Sequence, residues 1–428
     1  MPGRSGTGAL LLAACCFAAP AVLGRAVSRT PPPEYREVLE PRLSWEALLP
    51  DGSASRGGDG VVLLDEEVHL VDPSGRVLAA IHRRIQPRSH AGAERASRIA
   101  IPFRSGTEKT HLALARRIRA DGTVISVRDD AVLLETPQLL VDRDCYADVS
   151  EIVILFPGAG PGDVVEYVVV KEIDRTIPGE YTAFLPVADP WPQARSRRQV
   201  LLPREMAARF RFKTLGLGDA EPRSISAGGE LVGRVWEFQD LDALRLEHGR
   251  EPIRQAGPGI WLSTIESWTA VGAWFLELLA GTDLLDEDLQ RLAEGWRDAS
   301  RDSLETATVV ARYVSENVDY LALEFGMGSY RPNRASEVWR SRFGDCKDQA
   351  NLVRVLLGAL GVRSYLALVN TRHAGLIEES VPDFRQFNHV LLAVPIAEGG
   401  YAFLDPTAPA LANGRLPVSY THLRAHET

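Results

Sequence analysis

Lysine is scarce in this chain, and its scarcity limits the chemistry that the surface can offer. Four of the 48 basic residues are lysines, which leaves 44 arginines. So few primary amines make the chain a poor amine donor for its own cross-linking. The formal net charge is −9, and no basic stripe suits a nucleic acid. The composition therefore predicts no nucleic-acid partner.

Cysteine is also scarce, with 4 residues in 428. Cys15 and Cys16 lie in an N-terminal apolar stretch, which leaves Cys145 and Cys346 in the rest of the chain. This single pair could form a disulfide, but the two residues lie in different predicted domains. No C-x-x-C pair is present, so the sequence predicts neither a metal site nor a cofactor.

Long apolar runs are missing after the N-terminus, so no transmembrane helix is expected. Arg4 precedes an apolar stretch from Ala9 to Ala19, which is too short to span a bilayer but has the length of a signal-peptide core. We predict a signal peptide at residues 1–24 and a periplasmic or secreted mature protein. Leu12-Ala13-Ala14-Cys15 also resembles a lipobox, so the alternative is a lipoprotein anchored through Cys15.

Short strands and turns dominate residues 30–252. The run from Val164 to Val170 is typical of a buried strand, and Asp72-Pro73-Ser74-Gly75 is typical of a turn. This pattern predicts one or two antiparallel β-sandwiches, with the stretch from Pro186 to Arg198 as a break between two halves.

Helical periodicity begins after Gly257-Pro258-Gly259. Apolar residues recur every three or four positions from Trp268 to Leu279, and residues 304–318 show a second amphipathic pattern with Ser303 as candidate N-cap. The predicted fold class is α+β. A β-rich region at residues 30–252 is followed by a helical lead-in and an α+β core at residues 258–412.

The most informative motif is Phe343-Gly344-Asp345-Cys346-Lys347-Asp348, which an apolar helical pattern follows. A cysteine in the first turn of a helix has its thiolate stabilised by the helix dipole and by unpaired backbone N–H groups. Asp345 and Asp348 fit charges at a helix start better than catalytic acids. Cys346 is therefore the candidate nucleophile.

Two later strands carry a candidate base and a candidate acid. The first is typical of a buried strand and has His389 near its start, whereas the second ends at Asp405 before a proline. Gly399-Gly400 makes the turn between them, so a hairpin would bring His389 and Asp405 face to face. Cys346, His389 and Asp405 in this chain order match the nucleophile, base and orienting acid of acyl transfer.

These motifs resemble the transglutaminase-like branch of the papain-like fold, in the order Gly-Asp-Cys-Lys-Asp, Asn-His-Val and Leu-Asp-Pro-Thr. The stretches from Tyr320 to Glu324 and from Gly328 to Pro332 resemble the lead-in of bacterial members. Upstream, the stretches from Arg119 to Val124 and from Pro161 to Tyr167 resemble the domain of unknown function 3857 (DUF3857). That domain precedes a transglutaminase-like core in many exported bacterial proteins.

The resemblance implies acyl transfer on protein or peptide amides through a thioester at Cys346. Water as acceptor would make the protein a peptidase or amidase, and an amine would make it a transglutaminase. The backbone N–H of Cys346 would be one oxyanion donor, and Tyr330 is a candidate for the second. The polar stretch from Arg372 to Gln386 is a candidate lid over the cleft.

A non-catalytic reading stays open beside this one. A cysteine at a helix start is often a small buried hydrophobe, and a histidine on an apolar strand is often an ordinary core residue. In that case the β-rich region would bind a cell-envelope protein, and the core would serve as a scaffold.

The last eleven residues, Val418 to Thr428, resemble a translated sequencing adapter and are excluded from fold reasoning. His422 and His426 are four positions apart, a spacing that could suit a metal site on a helix. Because both lie in the adapter-like stretch, we do not predict a metal site there. We expect the natural chain to continue beyond Pro417.

Overall fold

The computed structural model describes residues 28–33, 35, 58–137, 145–187, 189–218, 220–244, 257–297, 301–324, 330–371, 377–397 and 399–408. The predicted signal peptide at residues 1–24, Cys15 and the tail at residues 418–428 lie outside these ranges. So does the first part of the candidate lid, residues 372–376.

The strands are numbered in chain order. They are β1 (Gly60–Val71), β2 (Val77–Pro87), β3 (Arg98–Arg104), β4 (Glu108–Ile118), β5 (Val124–Ser126), β6 (Val132–Glu135), β7 (Cys145–Ala147), β8 (Val149–Leu155), β9 (Val164–Ile173), β10 (Thr182–Pro186), β11 (Gln193–Pro203), β12 (Arg211–Leu215), β13 (Arg223–Ala227), β14 (Leu231–Leu241), β15 (Gly259–Ser263), β16 (Asp319–Tyr320), β17 (Ala322–Glu324), β18 (Phe343–Gly344), β19 (Tyr365–Val369), β20 (His389–Pro395) and β21 (Tyr401–Leu404).

An eight-stranded sheet organises the N-terminal region, in the order β13-β14-β11-β1-β2-β9-β4-β5. Its pairs are antiparallel except that β1 and β11 run parallel, with Val62 opposite Gln193 and Leu70 opposite Leu201. The stretch from Pro186 to Arg198 therefore does not separate two independent sandwiches. It leads into β11, whose parallel pairing makes both halves share one sheet.

Two three-stranded sheets, β3-β8-β6 and β10-β15-β12, pack on the same face of the large sheet. Side chains of a strand alternate between faces, so Val77, Ala79 and Ile85 on β2 lie on one side. Ile85 belongs to the core that includes Ile152 of β8, whereas Val77 and Ala79 belong to the core that includes Ile260 of β15. The small sheets are thus neighbours on a common floor.

The opposite face of the large sheet holds a buried ion-pair network. Glu166 accepts hydrogen bonds from His82 at 2.9 Å and from Arg116 at 2.6 Å. Burial raises the pKa of Glu166, but these two bonds and the nearby Arg84 outweigh it and lower the pKa to about 2. The carboxylate therefore stays charged in the fold.

The helices supply most of the C-terminal core. They are α1 (His90–Ala96), α2 (Arg204–Ala207), α3 (Trp268–Leu278), α4 (Glu287–Glu294), α5 (Ser303–Asn317), α6 (Ala335–Ser341) and α7 (Cys346–Ala359). Buried side chains of α4, α5, α6 and α7 pack with Leu392 and Val394 of β20 and Leu404 of β21. The sheet β19-β20-β21 completes this core, which gives the predicted α+β class.

The N-cap of helix α5 is Asp302, one residue before the Ser303 that the sequence predicts. Ser303 is not the N-cap, because Asp302 accepts the N–H of Glu305 at 2.7 Å and Glu305 accepts the N–H of Asp302 at 3.1 Å. This reciprocal capping box satisfies two helix-end donors at once, which a serine one position later would not do.

Within the described ranges, no helix has the length and apolar character needed to cross a membrane.

Candidate active site

Cys346 is the first residue of α7, and its position follows from the cap before it. Asp345 is the N-cap, and its side chain accepts the N–H groups of Lys347 at 3.1 Å and Asp348 at 3.2 Å. Asp348 in turn accepts the N–H of Asp345 at 3.2 Å. This capping box fixes the first turn and confirms both aspartates as helix-start residues. Cys346 is a free, half-buried thiol at the positive end of the helix.

Gly344 directly precedes the N-cap Asp345, at a position too crowded for a side chain. A Cβ atom at this position would lie 2.8 Å from Cβ of Asp348 and 3.0 Å from Cγ1 of Val338. The absence of a side chain therefore allows α7 to start this close to α6.

We expect Gly344→Ala to destabilise the fold by about 1–3 kcal/mol, because the new methyl group overlaps Asp348 and Val338. The matched control is Gly358→Ala, since Gly358 lies in α7 with no atom within 4 Å of an added Cβ. That change should stabilise the fold by about 0.5–1 kcal/mol through helix propensity. Urea unfolding of both variants measures the difference, and equal midpoints would contradict the packing argument.

His389 begins β20, and Asp405 directly follows β21. The two strands pair antiparallel, with Leu392 opposite Leu404, and Gly399 and Gly400 form the turn with φ of +86° and +84°. This hairpin brings Nε2 of His389 to 2.9 Å from Oδ2 of Asp405. The sequence-based expectation that these two residues face each other is met.

The side chain of His389 also contacts Cys346. The two side chains share a hydrogen bond, and this bond is one of the interactions that set the charge of the imidazole. The structure therefore brings all three predicted residues together in the order Cys346, His389, Asp405.

The imidazole is held in its charged form. Burial lowers the pKa of His389, but the hydrogen bonds with Asp405 and Cys346 outweigh burial and raise the pKa to about 10. For Asp405, burial raises the pKa, and the bond and charge of His389 lower it more, with a net lowering. Asp405 also accepts hydrogen bonds from the backbone and hydroxyl of Thr407 at 3.0 and 2.7 Å. The imidazolium form of His389 beside the Asp405 carboxylate is therefore favoured at neutral pH.

Sequence reasoning missed a clamp behind the nucleophile. Asp348 accepts the backbone N–H of Asn333 at 2.7 Å and its side-chain amide at 3.1 Å. Asn333 lies 15 residues upstream, and nothing in the local pattern signals this contact. The clamp fixes the segment before α6 to the first turn of α7.

Lys347 is a second feature that the sequence did not reveal. Its ammonium is buried and pairs with the carboxylate of Asp345. Burial lowers the pKa of Lys347, but the charges of Asp345 and Asp348 outweigh burial and raise the pKa above its ordinary value. The ammonium therefore stays charged beside Cys346. This places a fixed positive charge next to the thiol in the chain.

Cys346 and His389 line a cavity of about 680 Å³. On the core side, Cys346 and His389 lie among aromatic residues of which Trp274, Tyr330 and Phe384 pack ring against ring at 4.9–5.7 Å. The other side is formed by strands β1, β2, β9 and β10 of the N-terminal region. The cavity is therefore shared between the two regions of the chain.

The described part of the candidate lid, residues 377–386, has buried side chains and internal hydrogen bonds, and its role as a lid stays a prediction. Val381, Asp383 and Phe384 are buried, and Gln386 donates to the carbonyl of Val381 at 2.8 Å and accepts the N–H of Glu378 at 2.7 Å. Phe384 and Arg385 of this segment line the cavity, and the buried side chains of Val381 and Phe384 anchor it. Tyr330 also lines the cavity, and its role as second oxyanion donor stays a prediction.

No group of three or more His, Cys, Asp or Glu residues in the described part of the chain could hold a metal ion.

A likeness to one solved structure shows the fold. A crystal structure described as that of a "putative protease" from Parabacteroides distasonis ATCC 8503 matches with a TM-score of 0.68 at 15% identity, over 82% of this chain and 68% of that chain. A "putative cysteine protease" from Cytophaga hutchinsonii matches with a TM-score of 0.24 at 12% identity, over 53% and 74%. An M1 zinc metallopeptidase from Deinococcus radiodurans gives 0.27 at 12% identity, over 48% and 42%.

Comparisons with known families agree with the resemblance seen in the sequence. No curated protein matches the chain. Residues 73–245 match the family described as a domain of unknown function, DUF3857. Residues 290–406 match the transglutaminase-like superfamily and include Cys346, His389 and Asp405. The chain therefore joins a DUF3857 domain to a domain of the transglutaminase-like superfamily.

Proposed function

We propose that the protein is a cysteine-dependent acyltransferase that acts on protein or peptide amides through a thioester. The observation that carries this proposal is the contact of Cys346, at the start of α7, with a His389 that is hydrogen-bonded to Asp405. The name of the protease-like structure from Parabacteroides distasonis agrees with this chemistry, and at 15% identity that likeness shows the fold alone.

In the proposed mechanism the Cys346 thiolate attacks the amide carbonyl carbon, and the carbonyl oxygen becomes an oxyanion. The N–H groups of Lys347 and Asp348 are bound by Asp345, whereas the N–H of Cys346 lies outside these capping bonds and serves as one oxyanion donor. His389 then donates its proton to the leaving amine as the C–N bond breaks. The products of this half-reaction are a thioester on Cys346 and a free amine.

The second half-reaction restores the enzyme. Water or an amine attacks the thioester carbonyl, and His389 takes the proton that the acceptor loses. The C–S bond breaks, and the thiolate–imidazolium pair forms again. Asp405 holds the imidazole in place throughout.

Alkylation of Cys346 tests the proposal. Because the pKa of His389 is raised to about 10, the imidazolium persists across neutral pH and is lost only as the pH rises through that value. Iodoacetamide should therefore label Cys346 well below about pH 8.5, the ordinary pKa of a thiol. Mass spectrometry of the digested protein locates the label.

The control for this experiment is His389→Ala, in which labelling should appear only near about pH 8.5. If the wild-type profile already looks like that of the variant, Cys346 is not an activated nucleophile. The scaffold alternative, in which the N-terminal region binds a cell-envelope protein, would then be favoured.

The acceptor is tested with a fluorescent primary amine and unfolded casein. Covalent incorporation of the amine into casein would identify a transglutaminase, and release of new amino termini or ammonia would identify a peptidase or amidase. We propose that this activity takes place in the periplasm or outside the cell, since Arg4 and the apolar stretch from Ala9 to Ala19 predict export.

A further inference from the structure

The cavity beside Cys346 contains a groove that the two small sheets leave between them. Its floor is the large sheet, from which Glu67 of β1, Ile81 of β2 and Lys171 of β9 line the cavity. Ile101 of β3 borders one side, and all five residues of β10 border the other. Residues of one strand alternate between its two faces, so a strand whose every residue lines a cavity presents its edge to that cavity.

Strand β10 is an edge strand of its sheet, because the order is β10-β15-β12. The N–H of Thr264 donates to the carbonyl of Tyr181 at 2.9 Å, and the N–H of Val187 donates to the carbonyl of Pro258 at 2.9 Å. These bonds fix the alternation of the ladder, so odd-numbered residues of β10 bond to β15. The N–H and C=O groups of Thr182 and Phe184 consequently point away from β15, toward the groove.

Among the described residues, no hydrogen bond to these outward groups of Thr182 and Phe184 is found. The next outward carbonyl, that of Pro186, accepts from the Arg198 guanidinium at 3.0 and 2.6 Å. Arg198 thus closes one end of the open edge. What remains open is a short row of main-chain donors and acceptors.

Charge recognition is a weak alternative in this groove, because its charged floor residues already have partners. Lys171 pairs with Glu108 at 3.0 Å, and His69 pairs with Glu67 at 2.9 Å. The outward N–H and C=O groups of Thr182 and Phe184 can therefore bond to the main chain of an added strand.

We propose that the edge of β10 is the docking site for the main chain of the polypeptide substrate, which adds as an extended strand and delivers an amide to Cys346. This inference rests on the proposed function. The open edge from Thr182 to Phe184 spans about 10 Å at about 3.3 Å per residue, which is enough for one short substrate segment. Unfolded chains and exposed loops would bind, whereas helices would not.

The sheet that carries β10 is tied to the catalytic residues. The hydroxyl of Ser263 on β15 donates to the carbonyl of Pro382. Ser263 is completely buried, and so is Asp383, which follows Pro382 in the chain. A 3₁₀ turn at Phe384–Gln386 then leads to Asn388 and His389. A strand added to β10 is thus held at a fixed distance from His389.

The test removes one outward N–H without touching the ladder. Thr182→Pro does so, and proline is tolerated at an edge strand where the N–H faces outward. In a full-length protein with Cys346→Ala, this change should weaken binding of fluorescein-labelled, reduced and carboxymethylated casein about tenfold or more, measured by fluorescence anisotropy. Hydrogen exchange should show that casein protects the amides of β10.

The matched control is Thr214→Pro on β12, the opposite edge strand of the same sheet. Residues of β15 that bond to β10 alternate with those that bond to β12, so the N–H of Thr214 also faces outward, but Thr214 does not line the cavity. This variant should bind casein like its parent, and circular dichroism should give both proline variants the parent's melting temperature. Equal binding by both variants, no protection at β10 or no casein binding at all would overturn the proposal.

Turnover of p-nitrophenyl acetate by the Cys346-containing protein separates this proposal from the proposed function. This small ester needs no strand addition, so the ratio of kcat/KM for casein to kcat/KM for the ester should fall about tenfold or more in Thr182→Pro and keep the parent's value in Thr214→Pro. If the wild-type protein does not react with the ester, the proposed function fails, while the casein binding of the Cys346→Ala protein still decides whether β10 docks a chain.

Discussion

Replacing Cys346 by alanine is expected to lower amide turnover by about 10⁴-fold or more, the effect of removing the nucleophile from a catalytic triad. Among the residues that the structure describes, Cys346 is the one that brings a thiol to His389. Release of peptides from unfolded casein, followed by mass spectrometry, measures the loss.

The control for this change is Cys145→Ser, which removes the other cysteine of the predicted mature chain and should leave turnover unchanged. Both proteins should unfold at the same temperature as the wild type within about 2–4 °C. Undiminished turnover by the Cys346→Ala protein would show that the chemistry belongs to another residue.

Asp405→Asn is expected to lower kcat by about 10²–10⁴-fold with little change in KM. Asp405 is buried, its side chain is only 1% exposed, and Oδ2 lies 2.9 Å from Nε2 of His389. An amide of the same size cannot stabilise the imidazolium and does not enforce the same ring tautomer. Because Asp405 touches the histidine and not the substrate, the loss should fall on kcat.

The pH profile of the same variant gives a readout that a purely structural role would not change. Asp405 raises the pKa of His389, so its removal should lower that pKa. The imidazolium is lost as the pH rises through this pKa, and the alkaline limit of activity should move from about 10 toward neutral pH. Thr407→Val removes one hydrogen bond to Oδ1 and should keep the wild-type limit. An unchanged limit in Asp405→Asn would refute the assigned role.

Much of the site could be predicted because its parts are local. The cap and the apolar period locate Cys346 at a helix start, and two apolar strands around Gly399 and Gly400 locate His389 opposite Asp405. The clamp between Asn333 and Asp348 could not be predicted, since it joins residues without a shared period. The burial of Val381 and Phe384 in the candidate lid could not be predicted, because burial of apolar residues in a polar stretch depends on distant partners.

The groove beside β10 was invisible in the sequence for a related reason. It exists because two small sheets occupy the same face of a third, and that arrangement depends on the parallel pairing of β1 with β11. Periodicity marks each strand as buried, but it does not say which strands become neighbours.

The pairing of β1 with β11 also sets the order in which the molecule can assemble. Glu66 of β1 lies opposite Arg197 of β11, 131 positions further along the chain. Contacts between residues this far apart carry a large loop-closure entropy and make folding slow. During synthesis, the edge of β1 that pairs with β11 has no partner until β11 has left the ribosome. An incomplete chain therefore exposes an unpaired strand edge, which favours aggregation. We therefore expect the cavity beside Cys346 to form only after β1 has paired with β11.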